Sequence, residues 1–101
     1  MLDWQEQINP PEATWILSGK ITFENSTELR ARVKDVVLNQ PIRKLTFNMG
    51  NVRFIDSSGL GLLVSIKNTM VKRDGVFIVR NVTETVRNIM NQTGLDRYFD
   101  I

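Results

Sequence analysis

Asn51-Val-Arg-Phe-Ile-Asp-Ser-Ser-Gly-Leu-Gly-Leu-Leu-Val64 lies at the middle of the chain and decides how the rest is read. The apolar pair Phe54-Ile55 reads as a buried segment and stops at Asp56. A helical apolar pattern opens at Leu60 and runs to Val71. Asp56, Ser57 and Ser58 are all types whose side chains accept hydrogen bonds from the unpaired N–H groups of a first helical turn. A hydroxyl pair therefore stands where a buried segment gives way to a helix start. On that helix Leu60, Leu63, Val64 and Val71 share one face, and Leu62, Ile66 and Met70 share the next. This is a wider apolar sector than a helix needs to cover one sheet. Lys72 and Arg73 suit the negative end of the helix dipole, and Gly75 is expected to terminate it.

Downstream, Val76 to Val79 is an unbroken apolar run, as expected of a strand covered on both faces. Asn81-Val-Thr-Glu84 reads as a capping-box start, with Val82, Val86, Ile89 and Met90 as the buried stripe and Gly94 just past its end. Leu95, Tyr98 and Phe99 are expected to tuck the tail against the core. Upstream, Leu45, Phe47 and Met49 alternate with Thr46 and Asn48, which is a strand pattern, and Gly50-Asn51 reads as a turn. Asn25-Ser-Thr-Glu28 predicts another capped helix, with Leu29, Val33, Val36 and Val37 buried and Glu28 paired with Arg32 one turn on. Asn39-Gln-Pro41 stops it. Before it come a short edge strand over Leu2 to Ile8, a turn at Asn9-Pro10-Pro11-Glu12, and a strand from Thr14 to Ser18. That strand is interrupted by a bulge at Gly19 and is expected to continue over Ile21 to Phe23. The alternation predicts one α/β domain over residues 1–101 with a mixed four- to five-stranded sheet. Three helices, with room for a short fourth in the tail, pack on it, and a first hairpin supplies an antiparallel edge.

Composition narrows the chemistry. The 101 residues are 42% hydrophobic and 24% charged, ordinary for one globular domain. There is neither cysteine nor histidine, which excludes disulfides, Cys/His zinc sites and every nucleophile activated by an imidazole. Lys and Arg total 13 against 11 Asp and Glu, too even a balance to imply nucleic acid. Arg30, Arg32, Lys34, Arg43 and Lys44 are read as a solvated face. No stretch has the length of a membrane span, and Met-Leu-Asp-Trp lacks the order of a signal peptide. A cytoplasmic monomer without cofactor or metal is expected.

A serine at the first position of a helix, just past a strand, places its hydroxyl near the surface among free N–H groups. That terminus carries about half a positive charge and suits a phosphate. Phosphorylation adds about −1.5 to −2 charge there, so the fold should survive while the surface changes. The plain alternative is that Asp56 and the serines only cap the helix. Gly59 and Gly61 weigh against it, because glycine in a helix costs about 0.5–1 kcal/mol relative to alanine. Leu60 and Leu62 also point in different directions, so one of them is expected to face solvent or a partner.

Phe54-Ile-Asp-Ser-Ser-Gly-Leu-Gly61 resembles the signature of bacterial anti-sigma factor antagonists, the STAS-domain proteins. Leu17-Ser-Gly-Lys-Ile21, Leu45-Thr-Phe-Asn-Met49 and Thr93-Gly-Leu95 followed by Phe99 are similar to further parts of that pattern, so the resemblance spans nearly the whole chain. It implies a non-catalytic partner switch. The family's phosphorylated serine matches Ser57, its kinase is also an anti-sigma factor, and a metal-dependent serine phosphatase reverses the modification. The unphosphorylated form binds the kinase. Asp56, Ser57, Ser58, Gly59, Leu60 and Gly61 match the segment that meets it. Where the family often carries an aspartate, this chain has Thr22, and no role is carried over to it. The competing reading is a STAS-like adaptor in a transport or signalling complex, using the same helix face without phosphorylation. An enzyme with Ser57 as nucleophile would lack a base, since Lys67 is nearly three helical turns away.

Overall fold

The computed structural model describes all residues, 1–101. The elements follow the order β1 (Leu2–Asn9), β2 (Glu12–Ile21), α1 (Ser26–Asn39), β3 (Lys44–Ile55), α2 (Ser57–Lys72), β4 (Val76–Arg80), α3 (Glu84–Gln92) and α4 (Leu95–Tyr98). The four strands form one sheet in sequence order. β1 and β2 are an antiparallel hairpin across the Pro10-Pro11 turn, whereas β2–β3 and β3–β4 are parallel. Each parallel pair is joined through a helix, as parallel connection requires. This is the mixed α/β sheet that the alternation predicts, with the fourth helix present as a single turn.

Period-2 alternation sorts the sheet into two unlike faces. Ala13, Trp15 and Leu17 of β2, Leu45 and Phe47 of β3, and Phe77 and Val79 of β4 belong to one core of 24 buried residues shared with α1, α2 and α3. Trp15, Phe47, Phe77 and Phe99 form a chain of ring contacts through it, at centroid separations of 6.2, 5.0 and 6.0 Å. The alternate residues Thr14, Ile16, Asn48 and Ile78 are only half-buried and lie outside that core, so the helices cover one face of the sheet.

Three expectations change. Gly50-Asn51 is no turn: β3 runs unbroken through it, with Asn51 paired to Ser18. The register with β2 shifts between Ile16 and Ser18 and again between Gly19 and Lys20. Each shift places an extra β3 residue opposite β2. These bulges are why burial along β3 departs from strict alternation after Met49. Second, β4 is an edge strand covered on one face only, so Val76 is exposed and Ile78 half-buried. Third, Arg32 does not turn to Glu28. It reaches across to Glu6 on β1, and to Asp35.

The helix ends are local chemistry. Thr83 caps α3, its Oγ1 accepting from the Val86 N–H while donating to the Val52 carbonyl of β3. At the end of α2 the left-handed residue is Asp74 rather than Gly75. The Gly75 N–H donates to the Met70 carbonyl, closing the helix. Gly75 is there for room, because a Cβ would stand 2.8 Å from the Arg43 carbonyl oxygen. α4 is locked onto α2: the Lys67 ammonium donates to the Tyr98 carbonyl and lies 4.1 Å from the centre of the Tyr98 ring. The Tyr98 hydroxyl donates to Asn68.

Candidate functional site

β2 and β3 end side by side, and the turn after β3 gathers the residues singled out above. The Asp56 N–H still pairs with the Ile21 carbonyl, extending the ladder by one bond. The next residue starts α2. Asp56 is the N-cap, in extended conformation, and its Oδ1 accepts from the Gly59 N–H at 2.9 Å. Its Oδ2 accepts from the Phe23 N–H at 3.0 Å, on the loop between β2 and α1. One carboxylate thus holds both the helix start and the neighbouring loop.

Ser57 is the first residue of α2 and is exposed. Its hydroxyl makes no hydrogen bond within the protein. The N–H groups of Ser57 and Ser58 have no backbone acceptor, because they precede the first helical bond, from the Leu60 N–H to the Asp56 carbonyl. Ser58 is half-buried. Ser57 lines none of the three concavities of the surface. It sits on open surface, with two free N–H donors beside it and a fixed carboxylate behind it.

The two glycines have different reasons. A Cβ on Gly59 would stand 2.6 Å from both the Ile21 carbonyl oxygen and the Ile55 side chain, so glycine alone lets the first turn of α2 sit against the end of β2. A Cβ on Gly61 would meet nothing within 4 Å. Gly61 is exposed, and nothing in the packing calls for it. Neither Leu60 nor Leu62 faces outward: they are 7% and 0% exposed and belong to the core, which corrects the expectation for that pair. With Gly59 also buried, the surface open to a partner is Ser57 and Gly61, edged by the half-buried Asp56 and Ser58.

The surroundings hold two features that periodicity missed. Phe54, read as buried, is 41% exposed, because the register shift beside it turns its side chain away from the core. Phe23 is 71% exposed. Its loop is nonetheless ordered: Asn25 Oδ1 accepts from the Thr22 N–H and Asn25 Nδ2 donates to the Lys20 carbonyl. Asn25 therefore occupies the cap position of α1 without capping it, and the predicted capping box with Glu28 does not form. No group of three or more acidic residues is placed to hold a metal ion, and no helix is long and apolar enough to cross a membrane.

The sequence model of the STAS domain matches residues 7–101. An anti-sigma F factor antagonist of Paenibacillus polymyxa is 24% identical over 85 residues, 84% of this chain and 73% of that one. The crystal structure of TM1081 from Thermotoga maritima superposes with a TM-score of 0.85 at 26% identity, covering 93% of this chain and 80% of that one. The anti-sigma factor antagonist SpoIIAA has the same fold at 21% identity. Its unphosphorylated form gives a TM-score of 0.83 over 98% of both chains. Its phosphorylated form, from Bacillus, gives 0.77 over 95% of this chain and 87% of that one.

Proposed function

The chain belongs to the STAS-domain family, and we propose that it is an anti-sigma factor antagonist switched by phosphorylation of Ser57. In its bare form it binds an anti-sigma factor that is also a serine kinase. The kinase transfers the γ-phosphoryl group of ATP to the Ser57 oxygen, the hydroxyl proton passing to a base on the kinase and ADP leaving. A metal-dependent serine phosphatase hydrolyses the O–P bond with water, restoring the hydroxyl and releasing inorganic phosphate. This chain supplies the acceptor and the docking surface and does no catalysis of its own. The reading places it in the cytoplasm, as a monomer, with no direct contact to nucleic acid.

The observation that carries the reading is the exposed Ser57 hydroxyl at the head of α2, beside the unpaired N–H groups of Ser57 and Ser58. A phosphate there finds donors and a favourable dipole, worth about 0.3–1 kcal/mol at a surface terminus. The fold therefore has little reason to respond. A partner surface that closes over a neutral hydroxyl meets a dianion beside the Asp56 carboxylate instead, and an unpaired charge in a closed interface costs several kcal/mol. Asp56, Ser57, Ser58 and Gly61 form the contact surface, with Gly59 and Leu60 fixing its height from beneath. Binding of the cognate kinase to Ser57→Asp tests this. Affinity should fall at least about tenfold with the melting temperature unchanged. Equal binding by the variant would contradict it.

A further inference from the structure

We propose that Phe23 is the aromatic anchor through which the kinase partner grips the Ser57 terminus, with Asp56 as its positioning residue; this rests on the reading just given. Phe23 is the second most exposed large hydrophobic residue of the chain, after Met1, and takes part in none of the ring pairs. Compare Tyr98, also exposed, whose ring is covered by Lys67 and Phe99. Nothing inside the protein accounts for an aromatic ring at Phe23.

The backbone that carries the ring is also held in place. The N–H groups of Asn25 and Ser26 both donate to the Thr22 carbonyl, at 3.1 and 2.8 Å, and the Asn25 side chain ties Lys20 to Thr22. The Phe23 N–H itself is committed to the Asp56 carboxylate at 3.0 Å. A backbone so bonded presents its side chain without the ordering cost that a floppy loop would incur on binding. Aromatic side chains in such settings dominate interface energetics.

The occupant follows from continuity. The carboxylate that caps α2 next to Ser57 is the same one that bonds the Phe23 backbone. A surface that closes over the Ser57 oxygen should therefore also meet the Phe23 loop, where the ring is the exposed apolar group. The partner should offer an apolar pocket next to its phosphoryl-transfer site. In this arrangement Phe23 supplies affinity whether or not Ser57 is modified, and the charge on Ser57 supplies the switch. Phe23 touches no reacting atom, so it should act on binding and leave the transfer step alone.

The test compares wild type, Phe23→Ala, Ser57→Asp and Leu38→Ala with the cognate kinase. Leu38 is 62% exposed near the other end of α1 and serves as a control for general loss of apolar surface. For Phe23→Ala the kinase KM should rise about tenfold or more, with kcat within about twofold and melting temperature unchanged; Leu38→Ala should match wild type. Amide exchange at Phe23 should quicken in Asp56→Ala and be partly restored in Asp56→Asn, which keeps one acceptor. A Phe23→Ala variant that matches wild type while Ser57→Asp loses binding overturns the anchor and leaves the phosphorylation switch standing. Loss of equal size in Leu38→Ala also overturns it. Wild-type binding by Ser57→Asp contradicts the switch itself.

Discussion

The Arg32 guanidinium grips the Glu6 carboxylate with two hydrogen bonds, Nε to Oε2 at 2.8 Å and Nη2 to Oε1 at 2.6 Å. The Trp4 indole N–H adds a third, to Oε2 at 3.0 Å. This ties the edge strand β1 to α1, and it sets a pH dependence. The Arg32 hydrogen bond holds Glu6 below its ordinary pKa of 4.5, outweighing burial, which acts the other way. Unfolding breaks the pair and returns Glu6 to the ordinary value. Between the two pKa values the unfolded chain binds more protons, so acid favours unfolding. The contribution is complete above about pH 4.5 and disappears as pH falls through the folded pKa. Glu6→Gln should flatten the fall in melting temperature on the acid side. Part of the slope will persist, because the Asn91 amide also holds Asp96 low.

Gly59 and Gly61 should respond oppositely to alanine. At Gly59 the new methyl runs into the Ile21 carbonyl and the Ile55 side chain, each 2.6 Å away, and overpacking of this kind costs about 1–3 kcal/mol. At Gly61 the methyl enters open space at an exposed position of α2 and should stabilise by about 0.5–1 kcal/mol. Chemical denaturation of the two variants reads both signs. If Gly61→Ala is more stable yet binds the kinase less well, the bare backbone at that position serves the interface.

Asp56→Ala removes a cap and the tie to Phe23 together. Loss of an N-cap carboxylate costs about 0.5–2 kcal/mol, which for a chain of this size lowers the melting temperature by about 4–8 °C per kcal/mol. Asp56→Asn keeps one acceptor oxygen and should lose less. Calorimetry of the two variants would settle the order, and a larger loss in the asparagine variant would contradict the assignment.

Tyr98→Ala should release the last turn. It deletes the hydroxyl bond to Asn68, the ring beneath Lys67 and an edge contact to Phe99 at 5.1 Å. Together these are worth about 1–3 kcal/mol. Amide exchange should quicken over Leu95–Ile101 while the strands stay protected.

Some local signals read true: Asp56 is a short acceptor directly before an apolar stripe, and it caps α2 as expected. The capping box expected to open α3 at Asn81 does not form, because the helix starts at Glu84 with Thr83 as its cap and the Asn81 amide donates to Asn48 instead. The hairpin follows from the prolines at its turn, the parallel crossovers from the alternation of strands and helices, and the buried stripe of α1 from its period. Most of the failures share one cause, which is a partner distant in sequence; Asn25, whose partners are local, is the exception. Gly50-Asn51 has the composition of a turn, yet pairing of Asn51 with Ser18 keeps it in the strand. Asn25 has the type of a cap, yet its amide is taken up by Lys20 and Thr22. Arg32 has Glu28 one turn away and chooses Glu6. Val76-Phe-Ile-Val79 is apolar throughout, but only the strand order shows that it is an edge. The site was legible as a capped terminus with an outward serine. That Phe23 is bound to it could not be read, since the bond is made by a backbone N–H, which every residue but proline carries.

Phosphosite mapping by mass spectrometry, after incubation with the cognate kinase and Mg-ATP, probes the central claim most directly. A single phosphoryl group on Ser57, absent from Ser57→Ala, is the predicted result. A stable kinase complex in which Ser57 stays unmodified, or carries its phosphate on Ser58 instead, would contradict the account.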